Sequence, residues 1–212
     1  EDSLKFEHVG YISDADTLLS ARSIDVVGTS AYVTTYNAPH GGVVKLDVSN
    51  PYSPSIIATT DIGGGFWSSA VNGDKVYVAH FTDGILRVFN TNTLSLIGSV
   101  PSQTIRQAGG ITVINNFAYV STTEGPGIVS VDISDPENLV ALDTVTAPAV
   151  GVTTSIYANE KYAYIVSESG ADQLAIFDIS RPDSMWLVSS TTIAELNVAT
   201  SIYVANGLAY IT

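Results

Sequence analysis

Residues 43–51, VVKLDVSNP, are written again as IVSVDISDP at 128–136 and as LAIFDISRP at 174–182. A looser copy, LRVFNTNTL, occupies 86–94. Each opens with apolar residues at alternate positions and closes on Asp or Asn before a turn, the pattern of a half-buried strand entering a tight reversal. One structural unit is therefore copied along the chain.

A second column lies upstream of the first. Tyr32, Tyr77, Tyr119, Tyr164 and Tyr210 are spaced 42 to 46 residues apart, a period that fits propeller blades. Each follows Ala or Val and precedes Val or Ile. Nine residues before them stand Ser23, Ser68, Gly110, Ser155 and Ser201, all small, as required where strands crowd a narrow axis. The polar breaks between the two columns are GTS (28–30), NGD (72–74), INN (114–116), NEK (159–161) and ANG (205–207). Asn and Gly in such breaks supply the left-handed backbone of tight hairpins.

Each unit thus reads as strand a, hairpin, strand b with its Tyr, a longer loop, strand c with its Asp, a turn, and strand d. Four antiparallel strands per unit predict an all-β chain, a β-propeller of four-stranded blades. The repeats run over about 22–62, 67–100, 109–146 and 153–193, with a partial fifth over 199–212, in a single domain spanning 1–212. Residues 1–12 end in HVGYI, matched by SIIATTDI at 55–62, and are expected to supply a closing strand d. A sheet stopping after strands a and b leaves an unpaired edge, so a continuing chain or a neighbouring molecule is expected to complete it.

The strand c segments and the Ala-Tyr-Val strand b resemble the LVIVD repeat, a family of β-propeller blades common in bacterial and archaeal surface and secreted proteins. The likeness covers nearly the whole chain, and its motif is structural. The second copy departs from it after Phe89, with Asn90-Thr91-Asn92 where the others have Asp, then Val or Ile, then Ser. The resemblance implies a fold and an extracellular or cell-surface address, and it implies no reaction.

Composition narrows the partners. The formal net charge of -13 rests on only 8 basic residues, which argues against nucleic acid or an anionic membrane. No apolar run is long enough to span a bilayer. With no cysteine there is neither a disulfide framework nor a thiolate metal site.

Candidate binding residues come from the loops joining b to c and d to the next a, which share one face around a propeller axis. They are Arg22, Tyr36, His40, Trp67, His80, Phe81 and Arg106, with Asp14, Asp16, Phe66, Gln107 and Glu195 on the same loops. Arg22 and Trp67 share one repeat column, where the other copies have Gly109, Thr154 and Thr200. Such a pair either contacts a ligand or plugs the channel mouth. Asp47, Asp132 and Asp178 are expected to accept hydrogen bonds from the turn that follows them. The repeated Tyr is expected to pack between sheets, since a catalytic Tyr in every copy would be redundant.

Catalytic signatures are thin. No His-x-His, His-Glu-x-x-His or cysteine pair offers a zinc site. Asp14-Ala15-Asp16 resembles the start of a calcium loop without its further acids, so no cofactor is expected. No serine stands in Gly-x-Ser-x-Gly, and the glycines at 63–65 lack the lysine and helix of a phosphate cradle. The sequence favours a noncatalytic scaffold, secreted or attached to the cell surface, that binds a protein or a glycan through the loop face. Its competitors are a structural subunit that self-assembles through the incomplete blade, and a hydrolase or lyase with an acidic axial pocket.

Overall fold

The structure, a computed structural model, describes residues 7–100, 105, 107–125, 127–193 and 198–212. Four sheets of four antiparallel strands follow one another. The first holds β1 (Ala21–Val27), β2 (Ser30–Thr35), β3 (Val43–Asp47) and β4 (Ser55–Thr59). The second holds β5 (Phe66–Asn72), β6 (Lys75–His80), β7 (Ile85–Asn90) and β8 (Leu96–Val100). In the third are β9 (Ala108–Ile114), β10 (Phe117–Thr122), β11 (Gly127–Asp132) and β12 (Val140–Thr146). The fourth comprises β13 (Thr153–Ala158), β14 (Tyr162–Ser167), β15 (Leu174–Asp178) and β16 (Trp186–Thr191). A pair, β17 (Ile202–Ala205) and β18 (Leu208–Ile211), makes the partial fifth. Within every sheet the strands lie side by side in chain order, the meander of a propeller blade.

The first strand of each sheet packs on the first strand of the next, β1 on β5, β5 on β9, β9 on β13 and β13 on β17, so these strands line the axis. The small column acts there as its size demands. Ser23 Oγ and Ser69 Oγ lie 2.9 Å apart across two blades, and the Ile111 N–H donates to Ser68 Oγ at 3.3 Å. A Cβ on Gly110 would meet Ile156 Cγ2 at 3.1 Å, so the axis has little room to spare.

The tyrosine column knits each blade to its successor. Tyr32 is buried among Phe66, Val76, Val78, Phe89 and Leu94 of the second sheet, and its hydroxyl donates to the Thr91 carbonyl at 3.2 Å. Tyr77 packs with Ala108, Ile111, Ala118 and Val120 of the third sheet, and Tyr119 with Ile156, Ala163, Ile165 and Phe177 of the fourth. Burial pushes the Tyr119 phenol up to about 12 and raises Tyr77 as well. Tyr164 reaches Ala199 and Ile202 of the partial sheet, whereas Tyr210, in the same column, is 55% exposed.

The repeated acid ends its strand as expected. The N–H groups of Ser49, Ser134 and Ser180 donate to Oδ1 of Asp47, Asp132 and Asp178 at 2.8, 2.9 and 3.0 Å. In the divergent second copy Asn90 Oδ1 takes the N–H groups of Asn92 and Thr93, so the amide does the same work as the carboxylate. Hairpin breaks use positive φ at Gly28, Gly73, Asn115 and Asn206. The fourth differs: Asn159 Oδ1 accepts from Lys161 and Tyr162 N–H and closes the turn with its side chain.

The closing strand expected over 1–12 is not formed in the described part of that segment, residues 7–12. Its position is nevertheless that of a strand d. A Cβ on Gly10 would lie 3.1 Å from Tyr52 Cα at the turn after β3, as one on Gly98 in β8 would lie 3.1 Å from Glu137 Cα at the turn after β11. Among the described residues no strand pairs with the segment, and Ile12 and Leu18 pack against the apolar cluster of Ala31, Val33, Val44 and Leu46.

Candidate functional site

The geometry of the loop face follows from one recurrent irregularity. Pairing between the first two strands of each blade slips by one residue between Ala21 and Ser23, Phe66 and Ser68, Ala108 and Gly110, and Thr153 and Ser155. The unpaired residues are Arg22, Trp67, Gly109 and Thr154, the column in which Arg22 and Trp67 stood out. A β-bulge leaves its extra residue out of the ladder and re-aims the side chain. Close by, a second column is fixed by backbone: the N–H groups of Tyr36, Phe81, Thr123 and Glu168 donate to the carbonyls of Ser20, Gly65, Gln107 and Val152 at 2.8 to 3.1 Å.

In the first two blades these columns converge on one cluster. Trp67 stacks on Phe81 with centroids 4.9 Å apart and planes 27° from parallel. Tyr36 meets both edge-on, at 5.6 Å from Trp67 and 6.2 Å from Phe81. The Arg22 guanidinium carbon lies 4.3 Å from the Trp67 ring centroid and 5.2 Å from that of Tyr36. The three rings are half-buried and Arg22 is exposed. The same columns hold Gly109, Thr154, Thr123 and Glu168 in the third and fourth blades, so within these two columns the aromatic and cationic side chains belong to the first two blades.

Gly109 shows why that column is not free everywhere. A Cβ there would overlap the Thr153 backbone, 2.6 Å from its carbonyl carbon and 2.5 Å from its Oγ1. Thr154 in turn donates from Oγ1 to the Ala199 carbonyl at 2.6 Å.

The other candidates are placed differently. His80 is buried, 7% exposed, edge-on to Phe66 at 4.8 Å. Its Nδ1 accepts the Asp83 N–H at 3.1 Å and its other ring nitrogen donates to the Gly64 carbonyl. Burial holds the imidazole below its usual range against the pull of Asp83. With both nitrogens engaged, His80 ties the b to c loop to the glycines at 63–65 and is not presented to a ligand. Phe66, placed on a loop from sequence, is a core residue of β5, 1% exposed. His40 is exposed, with Nδ1 2.8 Å from Asp61 Oδ1. The hydrogen bond to Asp61, then its charge, raise the His40 pKa. Arg106 and Glu195 lie outside the described residues.

Asp14 is the acceptor of a local turn, taking the N–H groups of Asp16 and Thr17 and the Thr17 hydroxyl, which together lower its pKa. Among the described residues no group of three His, Asp or Glu side chains is placed to hold a metal ion. Sequence reasoning overlooked Asp25, whose Oδ2 accepts from Ser69 Oγ at 2.5 Å beside the axis. Burial raises its pKa, opposed by that hydrogen bond. The signal available was a lone carboxylate in the strand a column where other copies have Ala70, Thr112 and Tyr157.

The model of the LVIVD repeat matches residues 20–61, 105–146 and 150–192, more than half of the chain. The chain belongs to the LVIVD repeat family. The unmatched stretch between the first two segments is the second blade, whose LVIVD-like strand carries Asn90 in place of Asp. Solved structures share the fold at low identity. A functionally unknown protein from Desulfotomaculum acetoxidans DSM 771 is similar at 12% identity and a TM-score of 0.73, over 94% of this chain and 67% of that one. The computationally designed Ika8 protein gives 12% and 0.65, over 90% and 54%. A chain of a nidogen/laminin complex gives 12% and 0.61, over 92% and 71%. No curated protein matches the sequence.

Proposed function

We propose that this LVIVD-repeat chain is a noncatalytic β-propeller scaffold of the cell exterior that binds a protein or a glycan through its loop face. The observation that carries the reading is the cluster of Arg22, Tyr36, Trp67 and Phe81, four large side chains of two adjacent blades gathered in mutual contact at one rim. Tryptophan, tyrosine and arginine side chains are the groups that dominate binding energy at protein interfaces, and here the rings are half-buried and the arginine exposed. A rigid scaffold with bulges holds them without ordering a flexible loop on binding. The low count of basic residues and net charge of -13 suit the crowded, salt-containing exterior and disfavour nucleic acid as the partner.

The test is an array of glycans and of extracellular protein domains, probed with labelled wild-type chain and with the Trp67→Ala/Phe81→Ala double variant. Binding lost in the double variant and kept in Asn72→Ala, on a hairpin of the second blade, supports the reading. A ligand bound equally by the double variant places recognition elsewhere.

A second reading, self-association, is favoured by two apolar faces. Tyr203, Leu208 and Tyr210 of the partial sheet are 60%, 59% and 55% exposed. On the first sheet a groove of about 740 Å³ is lined by Ile12, Leu18, Leu19, Ile24, Val33 and Leu46, together with polar residues that include Asp14 and Arg22. Light scattering coupled to size-exclusion chromatography decides it: a strict monomer at high concentration refutes it.

A further inference from the structure

We propose that Arg22 is the receptor for a carboxylate carried by a protein partner, an Asp or Glu in a segment whose adjoining apolar side chain packs on Trp67, Phe81 and Tyr36. This rests on the binding role assigned to the loop face and names its ligand class.

Three observations converge on it. Among the described residues Lys75 lies 2.6 Å from Asp74, Arg87 3.6 Å from Asp83 and Arg181 3.6 Å from Asp183, while Lys45 and Lys161 lie over single rings of their own blades, Tyr32 and Tyr162. Arg22 is exposed and lies against the rings of Trp67 and Tyr36, in a chain with 21 acidic residues. Contact with the Trp67 and Tyr36 rings holds the guanidinium at the rim, and its N–H groups form the fork that pairs with a planar carboxylate through two parallel hydrogen bonds. The bulge fixes the side chain's root, so part of the ordering cost is met before a ligand arrives.

Charge decides between sources of the carboxylate. A polyanionic glycan would run along a protein of net charge -13 and past Glu168, the exposed residue that occupies the column of Tyr36 and Phe81 in the fourth blade. A protein segment offers one acid between neutral neighbours and avoids that repulsion. A neutral glycan would leave Arg22 unused and would need an open ring face, where Trp67 already stacks on Phe81 and carries the guanidinium.

The experiment follows the Arg22 side-chain N–H and the Trp67 indole N–H by NMR during titration with two capped peptides, Gly-Phe-Glu-Phe-Gly and its Gln counterpart. The expected result is a saturable shift of both signals with the Glu peptide, at least about tenfold tighter than with the Gln peptide. Arg22→Gln abolishes that preference, and Arg22→Lys restores only part of it. Equal affinity for the two peptides, no response to the Glu peptide, or a Glu preference surviving in Arg22→Gln overturns the proposal. Trigalacturonate binding more tightly than the Glu peptide through the same signals also overturns it, in favour of an acidic glycan. A shift of the Trp67 signal by cellohexaose that Arg22→Gln leaves unchanged overturns the carboxylate assignment alone and leaves the loop face as a binding surface.

Discussion

Replacing Gly109 by Ala tests the central geometry, the close approach of innermost strands at the bulge. The added methyl would sit 2.6 Å from the Thr153 carbonyl carbon and 2.5 Å from Thr153 Oγ1. Ordinary carbon to oxygen contacts start at about 3.3 Å and the Thr153 carbonyl oxygen lies closer still to the added carbon, so β9 and β13 must part by more than an ångström or the bulge must rearrange. Both strands are embedded in tightly packed sheets, Gly109 itself being buried, and such overpacking costs about 1 to 3 kcal/mol. For a chain of this size that lowers Tm by roughly 2 to 4 °C per kcal/mol. The control is Gly125→Ala, at φ 72° with open space around it, where only backbone strain of about 1 kcal/mol applies. Urea unfolding followed by circular dichroism, with thermal melts in parallel, gives both numbers. A Gly109→Ala loss no larger than that of Gly125→Ala would refute the claim that neighbouring blades touch at this point.

Three further outcomes are expected. Burial raises the Asp25 pKa, so the folded state binds that proton more tightly than the unfolded one, and stability falls as pH rises from the unfolded value of about 3.9 through the folded one; Asp25→Asn therefore raises Tm at pH 7 and changes it little at pH 3. His40 is raised by Asp61 and His80 is lowered by burial, so NMR titration should find their midpoints on opposite sides of about 6.5, and the reverse order would contradict the placement of both rings. Asn90→Asp should be near neutral because the Oδ1 acceptor is kept, whereas Asn90→Ala strands two turn N–H groups and costs about 1 kcal/mol by urea unfolding.

The repeat was legible because burial on both faces of a blade imposes the same side-chain sizes at the same places in every copy. Tyr32, Tyr77 and Tyr119 are buried by the same packing, and the Asp column by the same turn, so spacing alone revealed both. Individual side chains at the rim were harder to read. Sequence put Arg22 and Trp67 in one column without showing that each is a bulge residue, because the slip in pairing is a property of two strands together. His80 looked like its exposed neighbours, but the positive φ of Gly65 brings the backbone against the imidazole and seals it in. Phe66 was assigned to a loop because the triple glycine before it disguised where the strand begins. For strand d over 1–12, apolar pattern predicted location but not pairing, which needs a partner strand alongside.

The four bulges give the scaffold a set of addressable positions. At 22 and 67 the side chain projects from a point that contributes nothing to the ladder, so its chemistry is exchanged without disturbing strand pairing; at 154 the hydroxyl is tied to the Ala199 carbonyl, and at 109 the adjoining backbone closes the option. Sequence drift at the open positions changes what the rim presents while selection on the folded state is barely engaged. A library randomised at residues 22, 36, 67 and 81 would therefore be a compact way to turn this propeller into a family of binders, with the third blade left untouched as its anchor.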